Sequence, residues 1–117
     1  MKISDSEMEI MKIIWQEGRA VTTADLLGRL ESQWKQTTVL TFLKRLADKG
    51  VLQVSRAGKA NYYEARITEE DYKKQQTQEF LQDMHAGSVK NFLAALYGGE
   101  KPGKQELDEI KQWFEEV

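Results

Sequence analysis

Cysteine is absent from this 117-residue chain, which excludes disulfides, thiolate metal sites and cysteine nucleophiles. Proline occurs once, at Pro102, so regular structure meets few forced breaks. No window approaches the ~18 consecutive apolar residues that a membrane helix needs. The opening MKISDSEMEI lacks a basic segment followed by an apolar run, so no signal peptide is expected and the cytoplasm is the expected location. His85 is the only histidine, and neither a G-x-S-x-G element nor a Gly-rich phosphate loop is present. No catalytic, cofactor or metal role is therefore assigned. His85 closes a polar helix, where it is expected to satisfy free carbonyls.

What remains is 40% apolar and 31% charged, the composition of an ordinary folded helical protein. The net charge of −2 hides a segregation. Residues 1–34 carry four Lys/Arg against six Asp/Glu, residues 35–66 seven against two, and residues 67–117 six against eleven. A basic middle third between acidic flanks points to a polyanionic partner, a solvated cluster being the plain alternative.

Ser4-Asp5-Ser6-Glu7 is a capping box stapled by Ile3, and Met8, Met11, Ile14 and Trp15 give the first helix an apolar face up to Gly18. Thr22 or Thr23 caps a short second helix with Leu26, Leu27 and Leu30 inward. WKQTTVLTFLKRLADKG, residues 34 to 50, is a third helix ended by Gly50. VLQVS and ANYYEARI flank Arg56-Ala57-Gly58-Lys59 as a hairpin. Thr68-Glu69-Glu70-Asp71 caps a helix running to about His85, SVKNFLAALY is a short helix closed by Gly98-Gly99, and a last helix follows Pro102.

The expected fold is thus mainly α, a winged helix-turn-helix domain over residues 1–67 followed by a helical dimerisation region over 68–117. The tail is too small to bury its own apolar seam. Tyr72, Phe80, Leu81, Phe92, Leu96, Leu107, Ile110, Trp113 and Phe114 are expected to meet a second copy of the chain, the alternative being a tail folded onto its own winged domain.

The third helix poses the functional question. At 100° per residue, Val39, Leu40, Phe42, Leu43, Leu46 and Ala47 share one arc, and Thr37, Thr38, Thr41, Lys44, Arg45 and Asp48 the other. Threonine is a poor helix former, and a purely structural helix would carry Glu, Lys or Gln there. An N-cap role accounts for Thr37 alone, not for three hydroxyls beside two cations. A helix entering the major groove of double-stranded DNA accounts for all of them. The threonines would meet base edges, while Lys35, Lys44 and Arg45 would hold phosphates, with Arg56 and Lys59 on the wing as a second contact. For Tyr63 ordinary strand packing is the better reading. The rival is a winged-helix protein–protein interaction module, which would expose aromatics instead.

TVLTFLKRLADKG preceded by Trp34, ISDSEMEIMKIIW with Glu7, Met11 and Trp15, the wing's GKANYY and the helix TEEDYKKQ together resemble the penicillinase-repressor family over essentially the whole chain. That family includes beta-lactamase, methicillin-resistance and copper-homeostasis repressors. The resemblance implies a homodimeric transcriptional repressor of inverted-repeat operators with TACA/TGTA-like half-sites. It puts Thr38 and Thr41 at base-reading positions and Arg45 at a backbone contact. Thr37 departs from a lysine found in some members, and Leu40 from a glutamine. SVKNFLAAL is similar to the segment that a membrane sensor protease cuts in the beta-lactamase branch, with Asn91-Phe92 matching the scissile pair. The copper branch ends in cysteine motifs that this chain lacks. Protease-driven, ligand-driven and constitutive control are all compatible with the residues themselves.

Overall fold

The computed structural model describes residues 2–117, which form two compact units, one ending at Gln76 and the other spanning Thr77–Val117. The first unit begins with α1 (Asp5–Glu17), capped by the Ser4 box: the Glu7 amide donates to Ser4 Oγ at 3.2 Å and the Ser4 amide to Glu7 Oε1 at 2.9 Å. The helix ends at Gly18, whose φ of 64° is readily reached only without a Cβ. α2 (Thr23–Leu27) starts at Thr22, which forms a second reciprocal box with Asp25. α3 (Gln36–Asp48) follows, then the wing strands β1 (Leu52–Ala57) and β2 (Ala60–Ala65).

The wing pairs antiparallel from Leu52↔Ala65 to Ala57↔Ala60. Its two-residue turn places Gly58 at φ 63°, the first-position geometry of a hairpin turn that favours glycine. A third segment that periodicity did not reveal joins it: Val21, between α1 and α2, exchanges both backbone hydrogen bonds with Tyr63 at 2.9 and 2.8 Å. The wing is thereby tied to the helical core, and Tyr63 is buried as strand packing requires.

One apolar core holds the unit. Ile10, Met11 and Ile14 of α1, Leu26 of α2, and Val39, Leu43 and Leu46 of α3 close on Val21, Leu52 and Tyr63. Truncating Leu43 or Leu46 to alanine would remove about 2–5 kcal/mol, a large share of a stability of roughly 5–15 kcal/mol. The α3 orientation is thus set by its buried arc. Its end is also tied down: Lys49 Nζ donates to Glu7 Oε1 and to the Lys2 carbonyl, the latter at 2.9 Å. Glu7 is 1% exposed. Burial pushes its carboxyl up, but the Lys49 hydrogen bond and the Ser4 backbone and side chain outweigh this and hold it below the usual range.

α4 (Glu69–His85) begins in this unit, with Thr68 Oγ1 accepting from the Asp71 amide at 3.0 Å. Tyr72 is a correction to the expected dimer contacts. It is 5% exposed within its own winged unit, its hydroxyl accepts from the Ile3 amide at 2.7 Å, and its ring lies 5.9 Å from Trp15. Trp15 Nε1 donates to the Ile67 carbonyl at 2.9 Å, closing the same corner. The compact unit accordingly runs to Gln76, past the expected boundary at residue 67.

The second unit contains the end of α4, α5 (Val89–Tyr97) and α6 (Lys104–Glu116). No residue of α5 or α6 is buried. His85 does not cap carbonyls with its ring as expected. Its Nδ1 pairs with Asn91 Oδ1, and the ring stands edge-on to Phe80 and Phe92, each at 5.5 Å.

Candidate nucleic-acid interface

The outward face of α3 follows from which side its core residues anchor. With Val39, Leu43 and Leu46 fully buried, Thr37, Leu40, Thr41, Lys44, Arg45 and Asp48 emerge as one exposed arc, and Lys35 and Gln36 are exposed at the N-terminal end. Thr37 lies inside the helix. The N-cap is Lys35, which makes no side-chain capping bond, so the capping alternative for Thr37 does not apply.

Thr41 Oγ1 donates to the Thr37 carbonyl at 3.0 Å. That bond engages the hydroxyl proton and orients the side chain, leaving oxygen lone pairs and the methyl toward solvent. In a groove this oxygen is suited to accept from an exocyclic base amino group. Thr38 is half-buried at the margin of the arc rather than fully outward. Arg45 is exposed and its guanidinium carbon lies 5.9 Å from the centre of the Phe42 ring, which itself packs 5.0 Å from Trp34. The aromatics on this side thus stay half-buried under the cation instead of forming an exposed patch.

Two contacts place the N-terminus of α3. Glu9 of α1 accepts from the Ser32 amide at 3.1 Å and from its hydroxyl at 2.8 Å, fixing the segment between α2 and α3. The Thr38 and Val39 amides then donate to the Lys35 carbonyl at 3.0 and 3.1 Å. Arg56 and Lys59 are exposed at the wing, where Arg56 Nε donates to the Gly58 carbonyl at 3.3 Å and stiffens the tip. Lys59 and Asn61 also line an open groove of ≈ 320 Å³ shared with Thr22, Thr23, Gln36 and Leu40. The start of α3, the start of α2 and the wing therefore surround one concavity, without a carboxylate among its lining residues.

Leu40 is the second correction. The wheel placed it with the apolar arc, yet it is 39% exposed. It stands at the edge of that arc and opens onto the groove it shares with Ala24 of α2 and with Lys59, Ala60 and Asn61 of the wing. Gln36 and Asn61 were likewise not assigned to the site from sequence. Position alone reveals them, because neither stands out in a periodicity.

In the second unit the other expected contacts divide. Phe80, Leu96, Leu107, Ile110, Trp113 and Phe114 are exposed, whereas Leu81 and Phe92 are half-buried. Asn91 and Phe92 sit in the first turn of α5, where the Asn91 amide donates to Ser88 Oγ at 3.0 Å and the Phe92 amide to the Ser88 carbonyl at 3.1 Å. No described helix is long and apolar enough to cross a membrane, and no cluster of potential metal ligands occurs among the described residues.

Comparison with known proteins accords with this geometry. The family model described as "Penicillinase repressor" matches residues 3–116. The chain is 30% identical over 117 residues to the penicillinase repressor of Bacillus licheniformis, covering 98% of this chain and 91% of that one. It is 24% identical to the methicillin resistance regulatory protein MecI of Staphylococcus aureus (strain N315), covering 94% and 90%. Among solved structures, the DNA binding domain of the repressor BlaI aligns at TM-score 0.54 with 37% identity, over 61% of this chain and 88% of that one. The monomeric form of Bacillus licheniformis BlaI in complex with the blaP half-operator aligns at TM-score 0.53 with 36% identity, over 62% and 89%.

Proposed function

Because the chain belongs to the penicillinase repressor family, we propose that it is a cytoplasmic homodimer that represses transcription by occupying an inverted-repeat DNA operator. It is a DNA-binding repressor and not an enzyme. The observation that carries the reading is the exposed arc of α3, hydroxyls first and cations one turn later, on a helix whose other side is locked in the core. Thr37, Thr38 and Thr41 meet base edges in the major groove, while Lys35, Lys44 and Arg45 meet phosphates. Arg56 and Lys59 extend the contact from the wing. The structural relative bound to the blaP half-operator supports this use of a winged unit on one half-site.

One unit offers few cations, and its affinity would be weak and salt-sensitive. Pairing two units raises affinity through effective concentration and selects half-sites about one helical turn apart, with TACA/TGTA-like sequences as the expected motif. Support for pairing comes from the second unit. Among the described residues, ten of the thirteen exposed large apolar residues lie there, from Phe80 to Val117, more apolar surface than a 41-residue segment keeps in water without a partner.

Relief of repression by a membrane sensor protease acting at Asn91–Phe92 fits the same arrangement. Cutting there detaches Leu96, Leu107, Ile110, Trp113 and Phe114 from the DNA-reading unit. The bond lies in a capped helical turn, with Phe92 also 6.1 Å from Phe80, so local opening of that turn must precede cleavage. Binding-site selection from random duplexes tests the function as a whole. An inverted repeat should emerge, and recovery of unrelated sequences at equal affinity would reject operator recognition.

A further inference from the structure

We propose that Leu40 is a specificity-determining residue that reads a thymine by its 5-methyl group. The inference rests on the DNA-binding reading above and adds to it a base preference that neither the hydroxyls nor the cations supply.

Leu40 is the fifth residue of α3, within the part of a recognition helix that reaches base edges. It lies one turn after Gln36 and Thr37 and one turn before Lys44 on the exposed arc, and one wall of its groove is the wing carrying Lys59 and Asn61. A lone exposed leucine elsewhere on a protein carries no message. Here, however, its neighbours on the arc are suited to hydrogen bonding or phosphate contact, and an alkyl chain is suited to neither.

The major-groove edge of a base pair offers one substantial apolar group, the thymine methyl. Adenine, guanine and cytosine present hydrogen-bonding atoms there, and an isobutyl group pressed on them would strip their water and return no partner. Leucine at this position therefore favours thymine and penalises the other three bases. A side chain with an amide would instead select adenine through its N6 and N7 atoms. The partly uncovered position of Leu40 matters for this role, because a leucine closed over by α2 and the wing would present nothing to the duplex.

The test uses the full chain and the tightest duplex recovered by site selection. Each thymine is replaced in turn by deoxyuridine, which lacks only the methyl group. Fluorescence anisotropy then gives the affinity of the wild type, Leu40→Ala and Leu40→Met. Burying one methyl contributes on the order of 0.8 kcal/mol, so removing the relevant one should weaken wild-type binding about fourfold in one half-site and about fifteenfold in both. Leu40→Ala should lose sensitivity at that position alone and keep the wild-type response at every other thymine. Leu40→Met, which retains the hydrocarbon, should keep the response. A Leu40→Ala protein that still responds to every methyl as the wild type does would overturn the inference while leaving operator binding intact. Absence of selective binding by the wild type would overturn both.

Discussion

Replacement of Trp113 by alanine offers a quantitative test of how the second unit is used. Trp113 is 56% exposed and stacks edge-on against Phe114 at 4.8 Å. A tryptophan buries at most about 250 Å², so roughly 140 Å² faces outward. At about 25 cal/mol per Å², full coverage by a partner contributes roughly 3.5 kcal/mol per side chain. A twofold pair contains two such residues, and alanine keeps part of each, so the loss is bounded near roughly 6 kcal/mol. If the partner covers only half of that surface, about 3 kcal/mol is lost and the dimer weakens on the order of 150-fold. Sedimentation equilibrium across the micromolar range reads this directly. The winged unit should stay folded, because every buried apolar residue lies at or before Tyr72. Affinity for an isolated half-site should be unchanged while affinity for the inverted repeat falls. A folded Trp113→Ala protein with an unchanged dimer dissociation constant would show that α6 does not pair the chains.

Other substitutions separate the roles within the winged unit. Arg45→Ala should weaken binding to all duplexes alike and reduce the slope of log affinity against log salt by about one per half-site; a loss confined to one operator would contradict a phosphate contact. Thr41→Ala should lose about 1–3 kcal/mol on the selected operator and relax its sequence preference, so equal losses on random DNA would speak against base reading. The Glu7–Lys49 pair predicts an acid-labile fold. Glu7 is held below its ordinary value of 4.5, so its contribution is complete above that pH and is lost as pH falls through the lowered value. Glu7→Gln should remove about 2–3 kcal/mol at neutral pH, because Lys49 keeps only a neutral acceptor, and should flatten the acid limb of a denaturation series. A variant with wild-type acid sensitivity would place that limb on other groups.

The elements and their order were legible because each carries a local signal: the Ser4 box, the β-formers around Gly58 and the Thr68 cap all act within four or five residues. The buried arc of α3 was equally readable, since Val39, Leu43 and Leu46 repeat at helical spacing. Contacts across long sequence separation were not. Tyr72 reaches Ile3 through a hydrogen bond spanning 69 positions, and no periodicity encodes it. The bridge from Val21 to Tyr63 is invisible for the same reason. Leu40 was misplaced because angular position on a wheel does not say what other elements bring up to it; it opens onto the groove between α2 and the wing and is not closed over. His85 illustrates the reverse limit: its helix-end position suggested carbonyl capping, but Asn91, brought close by the turn at Ala86-Gly87, supplies a nearer side-chain partner.

The central claim is that a duplex approaches the solvent-facing side of α3, with the wing alongside. Titrating the isotopically labelled protein with the selected operator and following amide chemical shifts tests it most directly. The largest changes should fall on Thr37, Leu40, Thr41, Lys44 and Arg45, with a second group at Lys59 and Asn61. Changes concentrated on α1 or α6, with the α3 amides unmoved at saturating DNA, would contradict it.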